Sequence, residues 1–170
     1  MLDERETIGH GDLSHDKLVE ANINPKTGLA TDYLNHFNEV VMLLELLSDM
    51  PECMADVLAW QPLSYADHFM NSNFAAKELA VRAYNAAPIA ERGTFDTLTA
   101  EINSEVHMAQ CALEDADPDR IGDIASEAAE RVKPLIAEAG GVIHGHDTTP
   151  SSDGDAESES SQADIDALFA

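Results

Sequence analysis

Apolar residues recur along most of the chain at intervals of three and four, the period of one face of an α-helix. A short helix is predicted around Asp12 to Ala21, and "NINPKTG" at 22–28 reads as a loop because it holds Asn, Pro and Gly. From Ala30 or Thr31 to about Met50, the residues Leu34, Phe37, Val41, Leu44 and Leu47 mark a core-facing stripe. Pro51 ends that helix or begins the next, since it lacks the amide a helix interior needs, and residues 51–60 make a short segment ending at Trp60. Ser64 with Asp67 three residues on resembles a capping box with Asp in place of Glu. It predicts a helix to about Ala86 that presents Tyr65, Phe69, Ala76, Ala80 and Ala83 inward, which Pro88 closes unless it seeds the next.

The strongest stripe comprises Phe95, Leu98, Ile102, Val106, Ala109 and Leu113, on a helix predicted from about Thr94 to Asp115. Asp117 and Pro118 supply an N-cap and a first-turn proline for a last helix, and "AGG" at 139–141 supplies its stop. Pro134 inside that helix predicts a kink or an early end. The alternating β-branched residues of a sheet are nearly absent, and no repeat of 20 to 50 residues is visible. The predicted fold class is all-α, a bundle of four to five helices over residues 12–143 behind a flexible stretch at 1–11.

The helical pattern stops near His144. Residues 144–160 turn to Ser, Asp, Glu, Gly and Thr, with no large apolar residue until Ile165. Such a stretch buries too little surface to offset the entropy of ordering it, so a disordered acidic linker is expected. Residues 161–170, "SQADIDALFA", regain order: Ser161 with Asp164 makes a capping-box arrangement, and Asp164 and Asp166 suit the positive end of a helix dipole. Ile165, Leu168 and Phe169 fall at i, i+3 and i+4 on one face. Ten residues do not hold a helix alone in water, so this peptide is expected to fold against a groove on something else.

The segment "SQADIDALF" resembles the acidic peptide of bacterial flagellar motor switch proteins that docks as a helix on the phosphorylated chemotaxis response regulator. It is also similar to the docking peptide of the chemotaxis phosphatase, which likewise follows a flexible acidic linker. The resemblance covers about nine of 170 residues and concerns this segment alone. It implies that Ile165, Leu168 and Phe169 are apolar anchors and that Asp164 and Asp166 face basic residues of the regulator. A linker of about 15 residues lets the peptide search roughly 20 to 25 Å, which raises the effective concentration of a second contact made by the bundle.

A formal charge of -24 repels nucleic acid and anionic membrane, which carry the same sign, so neither is expected as a partner. The longest strongly apolar run, "VVMLLELL", is short for a bilayer and is broken by Glu45, and the charged start "MLDERETIGH" has no signal-peptide pattern. A cytoplasmic protein is expected, with Cys53 and Cys111 as two buried thiols in no CxxC spacing.

Candidate chemistry is sparse. Asp32, Asn35 and Glu39 share a strip of the first long helix, with His36 beside it. An acid and an amide about a turn apart are the pair that response-regulator phosphatases use to orient a water, so Asp32 and Asn35 are candidate catalytic residues, against the plainer reading of a solvated helix face. The spacing and surrounding sequence differ from the chemotaxis phosphatase pattern. His36 with Glu39, and Glu105 with His107, do not match the Glu-x-x-His pairs of di-iron bundles, and "HGHD" at 144–147 offers only weak chelation. His36 and His68 have acids for neighbours, which is poor company for a phosphoacceptor. "LSYADHFMNSNF" reads as a helix packed on one side more than as a pocket wall. No nucleophile elbow and no glycine-rich phosphate loop is present, and neither a cofactor nor a metal is expected. The expected function is that of an accessory signalling protein binding a response regulator or similar partner through 161–170. The alternatives are an aspartyl-phosphate phosphatase acting on that regulator and a metal- or small-ligand-binding bundle.

Overall fold

The computed structural model describes residues 7–145. The expectations for 1–6 and 146–170, among them the docking residues Asp164, Ile165, Asp166, Leu168 and Phe169, lie outside the described residues.

Every regular element among the described residues is helical: α1 (His15–Glu20), α2 (Leu34–Leu46), α3 (Met54–Ala59), α4 (Tyr65–Met70), α5 (Lys77–Ala86), α6 (Ile89–Glu114) and α7 (Ile121–Ile143). Four of these are ten residues or longer and three are single-turn pieces of six. The long pair α6 and α7 pack along each other as a hairpin, α2 lies against α7, and α4 packs on α5 and on the turn at Thr31–Tyr33. No helix among the described residues is long and apolar enough to cross a membrane.

The core forms where the stripes meet. Phe37, Leu44 and Leu47 of the α2 segment and Phe95, Ile102, Val106 and Leu113 of α6 are buried, as their three-and-four spacing predicts. The inward face of α7 is built from small residues, Ala125, Ala128, Ala129 and Ala139, with Val132 and Val142. Small side chains let the helices approach closely, and a Cβ on Gly122 would come within 3.0 Å of Ser48 Oγ. The burial reaches both ends of the described chain, from Leu13 to Ile143, and Ile8 packs partly buried on the same core.

Several boundaries differ from the periodic reading. The helix predicted over 64–86 is broken between Met70 and Lys77, where Ser72 Oγ donates to the Phe69 carbonyl and accepts from the Phe74 amide. That hydroxyl offers the backbone an alternative to helix hydrogen bonds, and "NSN" ends α4. Helix α6 begins at Ile89, directly after Pro88, and runs through the exposed Gly93. Helix α7 passes Pro134 and "AGG" without ending. Pro134 is exposed, as is Glu130, whose carbonyl has no amide hydrogen at position 134 to accept. The stop comes at Gly145, whose φ of +85° and bond from its amide to the Val142 carbonyl end the helix in the left-handed region. Thr27 Oγ1 donates to the Ile143 carbonyl at 2.7 Å and so satisfies one of the orphan acceptors of that last turn.

Candidate functional site

The start of α2 carries the residues singled out from sequence. Thr31–Tyr33 form a 3-10 turn that leads into the helix, so Asp32 and Asn35 face outward while Tyr33, His36 and Phe37 turn into the core. The Asn35 amide donates to Asp32 Oδ1 at 3.4 Å, so the acid and the amide do come together. A third group completes them: His68 Nε2 lies 3.1 Å from Asp32 Oδ2, tying the start of α2 to α4. The imidazole is largely sheltered and stands edge-on to Tyr33, with ring centroids 5.4 Å apart. Sequence spacing could not show this pairing, because 36 positions separate Asp32 from His68.

Asp32 and Asn35 lie on the wall of an open cleft of about 620 Å³. Three further carboxamides, Asn22, Asn24 and Asn38, line it together with the half-buried Phe74. Asn24 is already committed, since its Oδ1 accepts from the amides of Lys26 at 2.8 Å and Thr27 at 3.2 Å and so holds the 24–28 turn. Asn35 and Asn38 are exposed on the outer face of α2. Glu39 is exposed on the same helix.

His36 has a different role from its neighbour. It is buried, its ring stacks on Trp60 with centroids 4.6 Å apart, and its Nε2 accepts from the Leu63 amide at 3.0 Å. An accepting Nε2 places the ring proton on Nδ1. Burial first, and the nearby His68 second, lower its pKa to about 4, so it is neutral at physiological pH. The Trp60 indole donates to the His36 carbonyl at 3.3 Å, and the Tyr33 hydroxyl donates to the Leu63 carbonyl at 2.6 Å. From the other side, the Gln110 amide of α6 donates to the carbonyls of Val57 and Trp60 at 2.9 and 3.0 Å. His36 therefore fastens the α3–α4 connection to α2. It presents no exposed imidazole for phosphate.

The remaining candidates scatter. His107 is exposed on α6, where its Nε2 lies 3.7 Å from Cys111 Sγ one turn on, and Glu105 is instead paired with Arg131 at 2.8 Å. Cys53 is buried, as expected, but Cys111 is exposed: it falls on the side of α6 turned away from the Val106, Ala109 and Leu113 stripe. Among the described residues, no three His, Cys, Asp or Glu side chains are arranged to hold a metal ion. The aromatic and polar stretch at 63–74 splits its duties, with Tyr65 and Phe69 in the core and His68 at the Asp32 contact.

Comparison with known proteins finds no matching family model, no matching curated protein and no matching solved structure.

Proposed function

We propose that the protein is an accessory signalling protein of the cytoplasm that captures a partner of the response-regulator type through residues 161–170. The observation that carries this reading is the pattern of that segment: Ile165, Leu168 and Phe169 on one helical face, flanked by Asp164 and Asp166, after a long stretch without a large apolar residue. The test is a titration of a chemotaxis response regulator, carrying its phosphoryl mimic, with the full chain and with the Leu168→Ala and Phe169→Ala variants. Each truncation removes a buried anchor and is expected to weaken binding about tenfold or more. Equal binding by both variants would show that the segment is not the docking element.

A second reading, phosphatase action on that regulator, is favoured by one observation: Asp32 and Asn35 touch on an accessible cleft wall. In such a reaction the amide would hold the attacking water and the carboxylate would align it. Both oxygens of Asp32 are, however, engaged by Asn35 and His68, which is the arrangement of a cross-link between helices. The adaptor reading accordingly predicts that Asp32→Ala and Asn35→Ala leave the decay of the regulator's aspartyl phosphate unchanged, as followed by phosphate release.

A further inference from the structure

One turn of α6 places an imidazole, a thioether and a thiol on the same exposed surface. His107, Met108 and Cys111 all face solvent, and Met108 has 51% of its surface open. At about 100° per residue, Cys111 comes round one turn later between the other two, about 40° from His107 and about 60° from Met108. The opposite side of this turn carries the buried Val106, Ala109 and Leu113, so the core fixes the backbone beneath the three donors.

His107 Nε2 and Cys111 Sγ lie 3.7 Å apart. Between a thiol and an imidazole alone, that is a weak contact. The same separation matches a chelate. Metal bonds of about 2.3 Å to thiolate sulfur and about 2.0 Å to imidazole nitrogen, meeting at about 110 to 120°, hold the two donor atoms about 3.5 to 3.7 Å apart. The pair already stands at the bite of a metal ion.

The third donor decides which ion fits. Among the described residues no third His, Cys, Asp or Glu joins the pair, and the nearby Glu105 is held by Arg131 at 2.8 Å. What stands beside Cys111 is the Met108 thioether, three positions earlier, where side chains on a helix are neighbours with Cβ atoms about 5 to 6 Å apart. Its rotatable bonds let the sulfur swing towards the pair. Thiolate with thioether is a soft donor set that selects copper(I), whereas zinc takes thiolate, imidazole and carboxylate. The overall charge of -24 draws a cation to the surface.

We propose that His107, Met108 and Cys111 bind one copper(I) ion on the exposed face of α6. As the ion binds, the Cys111 S–H bond breaks, its proton passes to solvent and a sulfur–copper bond forms. Copper enters and stays as copper(I), so no electron is transferred. His107 Nε2 and Met108 Sδ each donate a lone pair as neutral ligands, and the thiolate cancels the charge of the ion. The site uses no residue of 161–170 and does not depend on the docking reading.

The test is an anaerobic titration of the reduced, full-length chain with copper(I), supplied as its acetonitrile complex, against the coloured copper(I) chelator bicinchoninate. The expected result is one equivalent withdrawn from the chelator and not displaced by an equal concentration of zinc(II). Cys111→Ser, at an exposed position that leaves the circular dichroism unchanged, is expected to abolish that withdrawal, and Cys53→Ala to preserve it. His107→Gln and Met108→Leu are each expected to weaken copper(I) binding about tenfold or more, since even groups behind the ligands of a metal cost that much. The proposal is overturned if no equivalent is withdrawn, if Cys111→Ser withdraws as much, if zinc(II) displaces the copper, or if either His107→Gln or Met108→Leu leaves the affinity unchanged.

Discussion

His36 shows how a single side chain can be polar, buried and structural at once. Its Nε2 takes the Leu63 amide, which would otherwise be a donor without a partner in the packed connection between α3 and α4. Because the folded state lowers its pKa to about 4 from 6.5, the unfolded chain binds this proton first as pH falls. The stabilisation it contributes is whole above pH 6.5 and is lost progressively as pH drops towards 4, by at most about 3 kcal/mol. Urea midpoints measured across that window for the protein and for His36→Gln, which keeps an acceptor but does not titrate, should differ in slope. Parallel curves would remove His36 as the cause. Gly28 is the other position where one atom decides. Its φ is +74°, and a Cβ there would meet the Ala83 carbonyl oxygen and Ile8 Cδ1 at 2.8 Å each. Gly28→Ala is expected to cost about 2 kcal/mol or more, read as a lower urea midpoint at unchanged slope.

At the scale of elements, stripes were legible and boundaries less so. Leu34, Phe37, Val41, Leu44 and Leu47, and the six apolar positions from Phe95 to Leu113, all face the core, because a 3.6-residue period leaves no other face that buries them together. The ends depend on partners that spacing does not reveal. Helix α7 continues past Gly140 and Gly141 because Val142 and Ile143 are buried and Thr27 caps the Ile143 carbonyl, a contact between positions 116 apart. The break after α4 was written in "MNSN" as turn chemistry, yet the inward register of Ala80 and Ala83 made one continuous helix look consistent. The capping residue was legible: Ser64 Oγ accepts from the Asp67 amide at 3.0 Å. Ser64→Ala is expected to cost about 1 kcal/mol, measured by thermal or urea unfolding, since it strips the first turn of α4 of the side-chain acceptor at its N-cap. No loss at all would mean that α4 is held by Tyr65 and Phe69 alone.

At the scale of the whole molecule, the sequence places its acid everywhere and its unexplained apolar residues in one segment. The candidate pair Asp32 and Asn35 was found by spacing, while its partner His68 needed the fold to bring distant segments together. In the proposed reading, capture by 161–170 and recognition at the domain are separable, and removing one should leave the other. The most direct measurement is a calorimetric titration of a chemotaxis response regulator, with and without its phosphoryl mimic, against the full chain and against a version ending at His146. The docking account predicts binding near the micromolar range that requires residues 147–170 and strengthens with the mimic. Absence of binding in both states, or equal binding by the shortened chain, would contradict it.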